Sequence, residues 1–195
     1  MFKRYLFGLL IIIFFISCES SEKKVDKVKL AKTYYQILDQ SKISEISGLI
    51  SDSLVTKEIE YDYEQVFSKQ QYIDWLKWDS LFNPTYKIIE IKEENGTVKA
   101  KVSKSDQRIL FLHKESTVYS QTLYFEDDKI TTIENKNVVF NDSIWVKNRE
   151  VFLKWVDQNH PELNGFIFDQ TKLGGLKYLK AIEYYKNHTD TEKTE

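Results

Sequence analysis

The sequence predicts an α+β fold in which a bent antiparallel sheet packs on N-terminal helices. Three observations predict it. Apolar residues recur every three or four positions over 28–38 and again over 72–82. From Thr85 to Phe140 the period is two, with Asn95-Gly96 at the first reversal. After Asn141-Asp142 the helical period returns. Helices, then strands, then helices is an α+β order.

Val28, Ala31, Tyr34, Tyr35 and Leu38 lie on one face of a first helix over about 26–39. Ile43, Ile46, Leu49 and Ile50 repeat the pattern in a shorter second helix, which Ser51-Asp52-Ser53 ends by competing for backbone hydrogen bonds. Glu58 to Tyr63 alternates and reads as a short strand. Ser68-Lys-Gln-Gln71 is a capping box, since Ser68 can accept from the third amide while Gln71 reaches back. The helix it opens carries Tyr72, Ile73, Trp75, Leu76, Trp78 and Phe82, and Asn83-Pro84 stops it.

Asn95-Gly96 suits a tight hairpin turn because both residues tolerate positive φ. Val98, Ala100 and Val102 alternate down the return strand, and Ile109 to Leu112 is a short apolar strand. Thr117 to Glu126 and Ile130 to Phe140 form a second hairpin about Asp127-Asp128-Lys129. Beyond it, Trp145, Phe152, Trp155 and Val156 share a helical face, as do Leu176, Leu179 and Ile182. Exposed, each large ring would forfeit about 1.5–3 kcal/mol. Residues 141–187 are therefore expected to pack on the domain, over a sheet face or the open end of the sheet, with 188–195 as a disordered tail. Gly174-Gly175 reads as a turn between helices.

The chain has 195 residues, 42% hydrophobic and 30% charged, which excludes wholesale disorder. A net charge of −2 argues against nucleic acid as a partner. The single cysteine, Cys18, excludes an intrachain disulfide. No two of the three histidines have metal-ligand spacing, and no dinucleotide, P-loop or nucleophile-elbow pattern is present. No metal and no cofactor is expected, and no catalytic residue is assigned.

The N-terminus reads as an address. Lys3 and Arg4 precede an uncharged run from Leu6 to Ile16, then Ser17-Cys18, the layout of a signal peptide over residues 1–17. Such a run spans only about half of a bilayer core as helix. Phe15-Ile16-Ser17-Cys18 resembles the lipobox of bacterial lipoproteins. The resemblance implies cleavage before Cys18 and lipidation of its thiol, with 18–27 as a polar tether. It places the protein in the bacterial cell envelope, at the outer membrane, with the membrane as a partner through the anchor.

The order of elements from Val28 to Phe140 resembles the nuclear transport factor 2-like superfamily, which includes the SnoaL-like proteins. Three segments carry the resemblance: Tyr34-Tyr35-Gln-Ile-Leu-Asp, Ile46-Ser-Gly-Leu-Ile-Ser-Asp-Ser and Phe67-Ser-Lys-Gln-Gln-Tyr-Ile-Asp-Trp. It implies a cystatin-like cone over 28–140, three N-terminal helices wrapped by the sheet around a cavity, with 141–187 as a two-helix extension. Members include isomerases, dehydratases, cyclases, binding modules and assembly domains, so the resemblance leaves function open.

Trp75 and Trp78 are the leading candidates for a cavity wall, followed by Tyr61, Tyr63 and Tyr124. Such rings combine an apolar face with one polar atom. Tyr119 and Tyr124 have opposite parity and can face one side only through a bulge. His113 is a further candidate at the mouth of the cone, set against a purely structural histidine. Asp62 alternates away from Tyr61 and Tyr63, so it faces water if they face inward. The leading expectation is a non-catalytic envelope module binding a small apolar ligand or an envelope protein. An isomerase-, dehydratase- or cyclase-type enzyme is the alternative, and a scaffold protein the second. A buried ionisable group with polar partners in the cavity favours the enzyme; a wall of rings and aliphatics favours binding.

Overall fold

A computed structural model of the chain describes residues 25–192. The leader, Cys18 and most of the tether lie outside the described residues, as do 193–195. Helix α1 (Lys27–Asp39) is capped by Asp26, whose side chain accepts from Lys29 N. A 3₁₀ segment over Ile43–Gly48 leads into β1 (Ile50–Glu58). A 3₁₀ turn at Ile59–Tyr61 joins β1 to β2 (Tyr63–Ser68). Helix α2 (Lys69–Ser80) opens with the capping box of Ser68 and Gln71. Then come β3 (Thr85–Glu94), β4 (Thr97–Ser105), α3 (Gln107–Leu112), β5 (Thr117–Glu126) and β6 (Lys129–Val139). Helices α4 (Asp142–Asn159) and α5 (Lys172–Glu192) complete the described chain.

The six strands form one sheet in the order β2-β1-β6-β5-β4-β3. All neighbours are antiparallel except β1 and β6, which run parallel. Asn95 and Gly96 both take positive φ, as do Asp127 and Asp128, so each hairpin closes on a two-residue turn. Register shifts interrupt β3–β4 at Ile88/Glu90 and β5–β6 at Val118/Tyr119 and Tyr124/Phe125. Each extra residue adds local bend and twist, and the sheet curls around α1 and α2. Ile89 is the odd residue in β3: it is exposed, while Ile88 and Ile91 pack inward.

The core divides in two. Tyr35, Leu38, Ile46 and Leu76 meet Leu54, Val102, Leu123 and Ile133 from the concave face of the sheet. A second cluster joins Trp78 of α2 and Phe82 just beyond it, Phe111 and Leu112 of α3, Phe152 and Val156 of α4, and Tyr178 and Ile182 of α5. Phe152 contacts Phe111, Phe166 and Tyr178 at ring separations of 4.8, 5.7 and 6.2 Å. No helix among the described residues is long and apolar enough to cross a membrane.

Several expectations are corrected. The second helix is 3₁₀, and Ser51-Asp52-Ser53 belongs to β1 rather than to a stop. Glu58–Tyr63 is the corner between two strands, with Asp62 in the left-handed region at φ 47°. Ile109–Leu112 is helical, because Asp106 accepts from the amides of Arg108 and Ile109 and caps the turn. A four-residue apolar run fits either structure, and here the cap decides. Of the two places expected for the extension, the sheet face is left uncovered: α4 and α5 pack on α2 and α3, and α4 lies at the open end of the cone. Gly174-Gly175 lies inside α5, and that helix continues to Glu192 instead of fraying from 188. Leu176 is half exposed, whereas Leu179 and Ile182 pack inward.

Candidate functional site

The curled sheet leaves a cavity of about 660 Å³ between its concave face and the helices. The polar part of its wall lies in register across the strands. Glu58 of β1 pairs with Asn135 of β6, and Asn135 with Gln121 of β5. Asn135 Nδ2 donates to Glu58 Oε1 at 2.9 Å, Gln121 Nε2 donates to Asn135 Oδ1, and Tyr35 OH donates to Gln121 Oε1 at 2.9 Å. The bonds run one way, from a buried phenol toward the Glu58 carboxyl, so each polarises the next. Burial still pushes the Glu58 carboxyl above its ordinary value; the Asn135 bond opposes this, and Glu60 adds to it.

Deeper in the cone, the hydroxyls of Tyr34 and Tyr72 share a 2.5 Å hydrogen bond. Burial raises both phenols. Lys104 lies on the same wall, following Val98, Ala100 and Val102 along the inward side of β4. Its ammonium is held by Asp79 at 2.9 and 3.0 Å. Arg108 binds Asp79 and, at 2.6 Å, Asp106, while Tyr86 OH donates to Asp79 Oδ2 at 3.2 Å. The Arg108 guanidinium lies 3.9 Å from the Phe82 ring centroid and 4.6 Å from that of Trp78. Burial alone would raise the Asp79 carboxyl, but Lys104 and Arg108 outweigh it and hold it below its ordinary value. Asp79 and Asp106 are each 2% exposed, so this quartet is a buried ionic bridge between the two core clusters.

The fourth wall comes from the extension. Asp142, Trp145, Val146 and Arg149 recur at helical spacing on α4 and all line the cavity. Tyr61 OH donates to Asp142 Oδ1 at 2.8 Å across the mouth, and its own pKa is pushed up to about 12 by burial and by Asp142.

The candidate rings divide. Trp75 lines both the cone and an outer groove of about 740 Å³ beneath α2, whereas Trp78 lines only the groove and is otherwise core. Tyr61 and Tyr63 stand at the mouth, each about half exposed. Tyr119 lines the cone; Tyr124 points to the other side of β5 and donates to Glu134 at 2.7 Å. The parity conflict is thus resolved with one ring in and one out. His113 is 1% exposed and does not line the cavity. Its Nε2 accepts from Asn141 N at 2.7 Å, its Nδ1 faces Glu115 O at 3.1 Å, and its ring stacks on Phe140 at 5.0 Å. With Nε2 accepting, the proton belongs on Nδ1, and the ring ties α3 to the start of α4.

Glu58, Asn135, Gln121, Lys104, Tyr34, Tyr72 and Arg149 are the cavity residues that sequence patterning passed over. The signal was parity. Lys104 continues the inward Val98-Ala100-Val102 alternation, Gln121 shares the side of Leu123, and Asn135 that of Ile133. A polar residue at an inward position is the mark of a cavity. Among the described residues no group of three or more His, Cys, Asp or Glu could hold a metal ion.

No family model and no curated protein matches the chain by sequence. Solved structures match its fold. A candidate ketosteroid isomerase from Kribbella flavida DSM 17836 superposes with a TM-score of 0.50 at 10% identity, over 60% of this chain and 80% of that one. A nuclear transport factor 2-like protein of unknown function from Cytophaga hutchinsonii gives 0.48 at 9%, over 60% and 94%. A cystatin-fold protein from Novosphingobium aromaticivorans gives 0.48 at 11%, over 57% and 97%. The chain has the nuclear transport factor 2-like fold. At such identities the likeness is one of fold and carries no chemistry with it. Within this nuclear transport factor 2-like cone, Glu58, Lys104 and the tyrosines line the cavity.

Proposed function

We propose that the cone binds a small amphipathic molecule. The observation that carries this is its open cavity of about 660 Å³, walled by Leu38, Phe67, Leu76, Val102 and Ile133 on one part and by Glu58, Gln121 and Asn135 on another. The volume is that of an ordinary small-ligand site, and an apolar wall with a few placed polar groups is its usual makeup. This modifies the expected apolar ligand to one with a polar end. The uncharged dye N-phenyl-1-naphthylamine should brighten on mixing with the protein. Thr56→Trp, which puts a ring into the cavity from β1, should abolish that signal at unchanged melting temperature. Dye binding indifferent to Thr56→Trp would place the site elsewhere.

One observation favours catalysis as a second reading: the Glu58 carboxyl, raised by burial and oriented by Asn135. Such a group can take a proton from a carbon beside a carbonyl and return it further along the chain. The test is conversion of a β,γ-unsaturated ketone to its conjugated isomer, followed by absorbance. Turnover that falls at least about 100-fold in Glu58→Gln supports the enzyme; binding without turnover leaves a binding module.

The envelope role rests on the lipobox-like segment Phe15-Ile16-Ser17-Cys18. Lipidation of Cys18 would tether the cone to the outer membrane. Labelled fatty acid should enter the wild type and not Cys18→Ala; equal labelling of both would end this reading.

A further inference from the structure

Arg149 is the cavity's unspent charge. Of the other charged side chains on the wall, each already has a partner: Lys104 pairs with Asp79, Asp142 accepts from Tyr61 OH, and Glu58 accepts from Asn135. Among the described residues, Arg149 has neither a hydrogen bond nor an ion pair, although its Nε is buried. A buried donor left without a partner costs about 1–3 kcal/mol, so its persistence calls for a partner. Arg108 also has a bare Nε, but its terminal nitrogen already binds two carboxylates. Arg149 has no such relief, and it lines the cone. Asp142 offers none: it lies seven residues back on α4, about 10 Å along the helix axis.

We infer that the ligand of this cavity is a carboxylate and that Arg149 binds its oxygens. The inference rests on the binding reading above and names the ligand's polar end. A guanidinium presents parallel N–H donors that match a carboxylate fork. One free guanidinium answers one negative charge. A phosphate's second charge would need another cation, and Lys104 is already committed to Asp79. The apolar wall of Leu38, Leu76 and Val102 then takes the hydrocarbon portion. Because Arg149 belongs to α4, the C-terminal extension supplies the recognition group, and the sheet supplies the space.

The test compares dodecanoate with dodecanol, equal in chain length and different in charge, as competitors of N-phenyl-1-naphthylamine. The wild type should bind dodecanoate at least tenfold more tightly. Arg149→Met should lose that tenfold for dodecanoate and leave dodecanol unchanged, and Arg149→Lys should retain part of the preference. Folding of each variant is checked by its melting curve, and if Arg149→Met does not fold, Arg149→Gln replaces it. Equal binding of both competitors by the wild type, or a preference that survives loss of Arg149, overturns the inference while the binding reading stands. If neither competitor nor the dye binds, the binding reading falls, and this inference with it.

Discussion

At the residue scale, the molecule spends its buried charge on structure in one place and holds it ready in another. Asp79 faces Lys104 and Arg108 in a site with almost no water. Removing one partner of a buried ion pair strands the others, at about 3–5 kcal/mol. Asp79→Asn should therefore lower the urea-unfolding free energy by that order, while Asp74→Asn, whose exposed carboxylate meets Gln70 and Lys77 in full solvent, should leave it nearly unchanged. The pH dependence has a definite sign. The Asp79 carboxyl is held below its ordinary 3.8, so its contribution is complete above that value and is lost as pH falls through the lower folded value. The wild type should lose stability in that acid range, and Asp79→Asn should lack this component. Glu58 has the opposite sign. Its raised carboxyl favours the protonated form in the folded state, so ionising it works against folding. Glu58→Gln keeps an oxygen for Asn135 and should melt higher than wild type at pH 7, with the gain shrinking as pH falls from the raised folded value toward 4.5 and gone below it. An unchanged or lower melting temperature at pH 7 would mean that burial does not strain Glu58. A stabilising change at a cavity carboxyl is what a site kept for function predicts.

At the element scale, local chemistry explains which segments were legible in sequence. Ser68 and Gln71 mark the start of α2, and Asn95-Gly96 marks the β3–β4 turn, because each signal acts within four residues. Ile109–Leu112 reads as a strand by itself because its decisive partner, Asp106, sits before the run and the helix's first amide, Gln107 N, is taken by Phe82 O from a distant turn. Glu58 meets Asn135 through the parallel β1–β6 pairing, which no local pattern announces, whereas Gln121 faces Asn135 across a legible hairpin and only strand parity marks them as inward. Gly174 and Gly175 illustrate the same limit. They read as a turn, yet they open α5 where it passes close to other backbone. A Cβ on Gly174 would stand 2.0 Å from Asp169 O, and one on Gly175 2.6 Å from Leu81 Cδ1. Gly174→Ala must displace main chain and should cost about 1–3 kcal/mol, as overpacking does. Gly48→Ala, with nothing within 4 Å, should be neutral or stabilising by about 0.4–1 kcal/mol. Melting curves of the two variants check the contrast, and equal curves would contradict the close approach.

At the scale of the whole molecule, the C-terminal helices complete both the core and the cavity. Without residues 141–195, Trp78, Phe82, Phe111 and Leu112 lose Phe152, Val156, Tyr178 and Ile182 as neighbours. His113 loses the Asn141 amide that satisfies its Nε2. The cone loses Trp145, Val146 and Arg149 from its wall. Each large apolar side chain returned to water forfeits about 1.5–3 kcal/mol, and several together match the 5–15 kcal/mol that holds a typical domain folded. The chain cut after Phe140 should therefore aggregate, or melt well below the full protein, through the apolar face of α2 and α3. Light scattering after size-exclusion chromatography, with a melting curve, checks this. A narrower deletion separates the two roles. Stopping after His160 keeps α4 with Arg149 and Phe152 but removes Leu163, Phe166 and all of α5. That chain should melt lower while retaining any preference for dodecanoate over dodecanol that the full chain has, because the cavity wall stays except for Gln170 and the outer layer of the second cluster goes. A monodisperse product with an unchanged melting temperature after either cut would make the extension an appendage, with its rings buried against nothing that matters to the fold.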